Sequence, residues 1–176
     1  MKTVLLLRHA KSDWSNPSLP DFERPLAKRG LKDAPRMGKL LSRSKIFPDL
    51  IVSSPARRAV QTAELVAENC GYDRPIQLVE RLYPGSPEEI MRIIQQCQPH
   101  IQTLLLIGHN PALEDSISAF ICPARNCAFR VRVPTAAMLC FKCEYSRWSE
   151  LSNGGCTLSW ILTPRVLNSI KGKTAQ

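Results

Sequence analysis

The sequence predicts one three-layer α/β domain, with a mostly parallel central sheet and helices on both faces. Three observations lead there. Six apolar, β-rich runs recur along the 176 residues: Thr3–Leu7, Asp49–Ser53, Ile76–Val79, Thr103–Ile107, Ala136–Cys143 and Cys156–Leu162. Stretches of helical character separate the first four, and β-α-β-α order demands right-handed crossovers and parallel neighbours. The last two runs follow each other with only a loop, Glu144–Gly155, between them, so one or two C-terminal strands should be antiparallel. No internal repeat, low-complexity tract or linker divides the chain, and residues 1–176 read as a single domain.

The helices have individual signals. In the first, Leu31, Ala34, Gly38 and Leu41 form a small or apolar face, while Lys28, Lys32, Arg36, Lys39 and Arg43 form a basic one. Pro35 places the regular start near Asp33 as N-cap, or else kinks the helix. Ser54-Pro55 reads as N-cap and first helical position of a second helix reaching about Asn69. Pro87 opens a third, to about Gln96, and Asn110-Pro111 repeats the cap-and-proline signal for a fourth, to about Ile121.

Composition narrows the class. The longest purely apolar run, Ala136 to Phe141, cannot span a bilayer. The N-terminal apolar run meets Arg8 too early for a secretion signal, so the expectation is a soluble, cytoplasmic monomer. Residues 1–60 hold 13 Lys/Arg against 5 Asp/Glu, and the rest of the chain is nearly balanced. A basic N-terminal third suggests anionic ligands without choosing among them. Seven cysteines are expected to be reduced and packed as small hydrophobes. Cys122, Cys127, Cys140 and Cys143 have zinc-ribbon spacing, but Cys140 and Cys143 fall three apart in a strand and should face opposite ways.

Chemistry collects at strand exits, where open α/β sheets bind ligands. Arg8-His9-Ala10-Lys11-Ser12 follows the first strand, Ser53-Ser54-Pro55-Ala56-Arg57-Arg58 the second, and Gly108-His109-Asn110-Pro111 the fourth run. Two of the three histidines lie there, and His100 reads as structural. Each exit leads toward a helix N-terminus, which favours an anion. Guanidinium groups orient phosphoryl oxygens, one neutral imidazole can attack phosphorus, and a second can stabilise the spreading charge.

Arg8-His9-Ala10 after an N-terminal strand, with Gly108-His109-Asn110-Pro111 about a hundred residues on, resembles the histidine phosphatase superfamily. Asp21-Phe22-Glu23-Arg24-Pro25-Leu26-Ala27-Lys28-Arg29-Gly30 and Asp33-Ala34-Pro35-Arg36-Met37-Gly38 are similar to its small SixA-type branch of protein phosphohistidine phosphatases. Ser53 to Ala63 is similar to its second arginine motif. The resemblance implies a phosphoglycerate-mutase-like fold without a helical cap and a metal-independent phosphatase needing no cofactor. It implies His9 as nucleophile, with Arg8, Arg58 and His109 holding phosphate; Arg57 is the alternative to Arg58. Lys11 and Ser15 are further candidate substrate contacts. Glu80, in Glu80-Arg81, stands where mutases and many small-molecule phosphatases carry a general acid. Ala10 and Lys11 depart from the wider Arg-His-Gly-Glu pattern and put a cation beside the site.

An imidazole leaving group, with an imidazolium pKa of about 6.5, needs a proton far less than an alkoxide does. A weak or missing acid therefore favours phosphohistidine over phosphate esters. About twenty residues separate Val79 from Thr103, enough for one helix and no lid, which suits a phosphorylated protein. A phosphotransfer domain or phosphocarrier is the expected partner, with the basic stripe steering its acidic surface. The alternatives are a small-molecule phosphomonoesterase using the same site and a non-catalytic phosphoprotein- or nucleic-acid-binding module. Few aromatics are available for base stacking, which weighs against nucleic acid.

Overall fold

Every predicted strand forms, and all six join one sheet. In the computed structural model, which describes residues 1–123 and 130–171, they are β1 (Lys2–Arg8), β2 (Leu50–Ser53), β3 (Gln77–Leu78), β4 (Thr103–Gly108), β5 (Met138–Cys143) and β6 (Cys156–Leu162). The order across the sheet is β3-β2-β4-β1-β5-β6. β1, β2, β3 and β4 are parallel, and β5 runs antiparallel to both β1 and β6. The central strands β1 and β4 are buried on both faces, so they read as apolar runs rather than alternating ones. Val4 and Leu6 face one core with Phe120, Phe141 and Trp148, and Leu5 and Leu7 face the other with Met37, Leu41 and Val66.

The helices are α1 (Lys28–Arg43), α2 (Arg57–Cys70), α3 (Pro87–Gln95), α4 (Ala112–Ile121) and α5 (Pro164–Lys171). Helix α1 starts five residues before the expected N-cap. Pro35 lies inside it, and Asp33 is not a cap but a buried carboxylate held by Arg29 (3.2 Å) and Arg36 (2.8 Å). Packing supplies what the lost backbone bond removes, because Ala34, Met37 and Leu41 are wholly buried. Helix α2 starts at Arg57, not Pro55, with the Ser54 hydroxyl accepting from the Ala56 amide at 3.3 Å. Helix α4 starts at Ala112 without the expected Asn110 side-chain cap, whereas α3, expected only to open at Pro87, is capped by Ser86 accepting from Glu89. Helix α5 carried no sequence signal strong enough to place it.

Helices α1 and α2 pack closely because Gly38 has no side chain. A β-carbon there would stand 2.5 Å from the Val66 carbonyl oxygen. Gly38→Ala should therefore destabilise by about 1–3 kcal/mol through overpacking, against the ~1 kcal/mol that alanine's helix propensity would return. Thermal unfolding checks this, and a raised Tm would contradict it.

The cysteines need a correction. Cys143 and Cys156 sit directly opposite on β5 and β6, Cα atoms 4.2 Å apart, and form a disulfide, so these two are not reduced thiols. The zinc reading fails with them: Cys140 packs with Met37 and Leu41 on one face while Cys143 packs on the other. Cys127 lies outside the described residues.

Candidate active site

The carboxyl ends of β1, β2 and β4 lie side by side, so the residues leaving them converge despite their distance in sequence. The His9 and His109 ring centroids are 4.9 Å apart. The His9 amide bonds the Gly108 carbonyl, fixing the two exits to each other. Arg58, in the first turn of α2, reaches both rings: its Nε is 3.3 Å from His9 Nε2 and one Nη is 3.4 Å from His109 Nδ1. Arg58 is 7% exposed while Arg57 points to solvent, so helix phase separates the two candidates.

Hydrogen bonding sets the His9 tautomer. Its Nδ1 lies 2.8 Å from the Ala10 carbonyl oxygen. A carbonyl only accepts, so Nδ1 carries the proton and Nε2 keeps its lone pair. The Arg58 guanidinium, which only donates, agrees with that assignment. Burial, aided by Arg58 and Arg8, pushes the His9 pKa down to about 4. The His109 pKa falls to about 3 through burial, His9 and Arg58. At neutral pH both imidazoles are uncharged. His109 Nε2 lies 2.8 Å from the Ser54 hydroxyl and donates to it, leaving Nδ1 to accept from Arg58.

Arg8 adds a second cation. It lowers the proton affinity of both histidines electrostatically, and its Nη1 donates to the Val133 carbonyl at 2.8 Å. Its Nε is buried with no hydrogen-bond partner among the described residues. Glu114 works behind it. The carboxylate accepts from Asn110 Nδ2 and from the Val133 amide, both at 2.7 Å, and attracts Arg8. Nothing in the sequence marks Glu114; Ser54 reads there only as a helix cap, and Asp21 stands in a motif with no assigned place in the site.

Asp21 comes from the loop after β1. Lys11 and Asp13 pair with Ala27 and Pro25 through backbone bonds, which folds residues 14–24 back over the rim. The Asp21 carbonyl accepts from Arg58 Nη1 at 2.5 Å, and its Oδ2 accepts from Arg58 Nη2 and the Tyr83 hydroxyl, each at 2.8 Å. Tyr83 stands edge-on to both His109 and Phe22.

The other candidates lie elsewhere in the local network. Glu80 is exposed at the start of a 3-10 turn, and its carboxylate makes no hydrogen bond or ion pair among the described residues. Ser15 is exposed, its amide bound to Asp13, and the Lys11 side chain faces solvent. The stretch between β3 and β4 holds a 3-10 turn and α3 and no inserted helical cap; Tyr83 is what it brings to the site.

Comparison with known proteins places this geometry. The histidine phosphatase superfamily (branch 1) matches residues 4–83. An uncharacterized chloroplastic protein of Arabidopsis thaliana is 30% identical over 176 residues, spanning 93% of this chain and 78% of its own. A candidate phosphohistidine phosphatase SixA from Agrobacterium tumefaciens superposes with a TM-score of 0.74 at 27% identity, covering 93% of this chain and 99% of its own. The protein histidine phosphatase SixA, solved with tungstate, shares the fold at a TM-score of 0.79 and 23% identity, covering 94% and 99%. A neutral histidine with an unprotonated Nε2, ringed by two arginines and a second histidine, is thus seated in a shared framework: the chain belongs to the histidine phosphatase superfamily and has its small SixA-type architecture.

Proposed function

We propose that the protein hydrolyses phosphohistidine on a partner protein through a phosphohistidine formed on His9. One observation carries the reading: His9 Nε2 is the unprotonated ring nitrogen, accepts from Arg58 Nε at 3.3 Å and lies beside the His109 ring. In the first step Nε2 attacks phosphorus and the substrate P–N bond breaks, its electron pair going to the departing imidazole. Arg58 and Arg8 neutralise the phosphoryl oxygens, and the unpartnered Arg8 Nε is a donor that an oxyanion would satisfy. A phosphoryl dianion raises the proton affinity of His109, whose Nδ1 can then donate to an equatorial oxygen. A substrate imidazole whose other ring nitrogen has taken a proton from solvent departs neutral, with no acid such as Glu80 needed, which supports P–N over P–O bonds.

The partner would be an acidic phosphotransfer domain or phosphocarrier. Helices α1 and α5 border a groove of about 480 Å³ lined by Arg29, Arg36, Arg165, Asn168 and Ser169, with Asp33 its one carboxylate. Exposed Lys28 and Lys32 extend the positive field along α1. Charge on such a rim acts mainly on encounter. Lys32→Glu with Arg165→Glu should raise KM for a phosphohistidine protein about tenfold at low salt. The same pair should leave kcat/KM for para-nitrophenyl phosphate unchanged.

The central test compares kcat/KM for a phosphohistidine protein with that for para-nitrophenyl phosphate. A preference for the protein is expected. A preference for the ester would replace this reading with a small-molecule phosphomonoesterase.

A further inference from the structure

We infer that Asp21 is the general base that activates water to hydrolyse the His9 phosphoenzyme. The inference rests on the phosphoenzyme reading above and concerns its second step. In-line displacement requires water to approach phosphorus from the side opposite His9 Nε2. The Arg58 guanidinium spans that distance: its Nε is on His9, and its outer nitrogens are on Asp21 at 2.5 and 2.8 Å. A phosphoryl group on Nε2 would lie along this guanidinium, with the Asp21 carboxylate at the outer end where water enters.

The two carboxylate oxygens are unequal. Oδ2 already accepts from Arg58 and Tyr83, whereas Oδ1 has no hydrogen-bond partner among the described residues, and the side chain is 45% exposed. Oδ1 is therefore free to accept from water while Oδ2 keeps the group aimed. Other groups nearby are unsuitable. Tyr83 donates its proton to Asp21, both His109 nitrogens are engaged, and Glu80 joins none of these bonds. Partial burial works to raise the Asp21 pKa, but the Tyr83 hydroxyl and Arg58 outweigh it and hold the group below its usual value. It is ionised at neutral pH, the state a base requires and an acid lacks.

The step balances. Water oxygen bonds to phosphorus as its proton passes to Asp21 Oδ1. The P–Nε2 bond breaks and its electron pair returns to His9, which keeps its Nδ1 proton toward the Ala10 carbonyl. Inorganic phosphate leaves, and Asp21 releases the proton to solvent.

Asp21→Asn separates this role from mere positioning, because an amide oxygen still accepts from Arg58 but is no base. With a ³²P-phosphohistidine protein, rapid quench should show the first step within about threefold of wild type and kcat lowered about 10²–10³-fold. Acid-labile label should accumulate on the variant, tungstate affinity should stay within about threefold, and Asp21→Glu should recover part of kcat. Weakened tungstate binding without label accumulation would make Asp21 a positioning residue and overturn the inference alone. Continued hydrolysis by His9→Ala with no label on any variant would overturn the phosphoenzyme reading as well.

Discussion

His9→Ala should abolish covalent labelling and lower kcat on a phosphohistidine protein by about 10⁴-fold or more, the scale on which loss of a nucleophile is felt. The expectation follows from the Nδ1–carbonyl bond, which leaves Nε2 as the one ring nitrogen able to attack. Wild-type enzyme quenched during turnover should carry label that acid removes and alkali does not. The variant should carry none. Fold is separable from chemistry here, since His9 is a buried neutral ring and alanine leaves no charge unpaired. The variant should therefore unfold cooperatively and still bind tungstate through Arg8, Arg58 and His109. Retention of even a tenth of wild-type turnover in a folded His9→Ala protein would be incompatible with the mechanism. Residual activity confined to phosphate esters would instead point to a direct attack by water.

What could be read in advance depended on how local its cause was. Strands β1 and β4 announce themselves because burial on both faces forces an unbroken apolar run. Arg8, the last residue of β1, and His9 and His109, directly after β1 and β4, follow from standing at strand ends, where topology places a ligand. Arg58 followed only from resemblance, and helix phase now explains why it, rather than Arg57, turns inward. Asp21 was in plain view within a recognisable stretch, yet its place beside Arg58 depends on a loop whose path has no periodicity. Its position is fixed by the pairing of Lys11 with Ala27 and of Asp13 with Pro25, which no side-chain pattern encodes. Ser54 misled for a related reason: it has cap-like chemistry, but its hydroxyl serves His109 as well as the Ala56 amide. Cys143 and Cys156 meet only through the β5–β6 register, thirteen residues apart in sequence. Helix α1 begins early although Asp33 could cap it, because Asp33 pairs with Arg29 and Arg36 one turn to either side on the same helix, spacings that only a helix brings together.

Acid should unfold the protein, and the same two imidazoles set the window. Both are neutral when folded, with pKa values of about 4 for His9 and about 3 for His109, against 6.5 for a free histidine. Between those values the unfolded chain binds more protons than the native one, so stability is intact above about pH 6.5 and falls as pH drops toward 4. Each tenfold loss of proton affinity on folding corresponds to about 1.4 kcal/mol, so the pair could cost on the order of 5 kcal/mol by about pH 4. That is comparable with the whole stability of many domains. Denaturant titrations across this range should show a steep decline that His109→Asn makes shallower, since one of the two proton-linked groups is then gone. Tungstate should act in the opposite sense. A dianion beside the rings raises their proton affinity in the native state, so binding takes up protons and its stabilising effect should grow as pH falls from about 7.5 to 5.5. A tungstate-induced rise in Tm that is the same at both ends of that range would mean that neither imidazole faces the bound oxyanion.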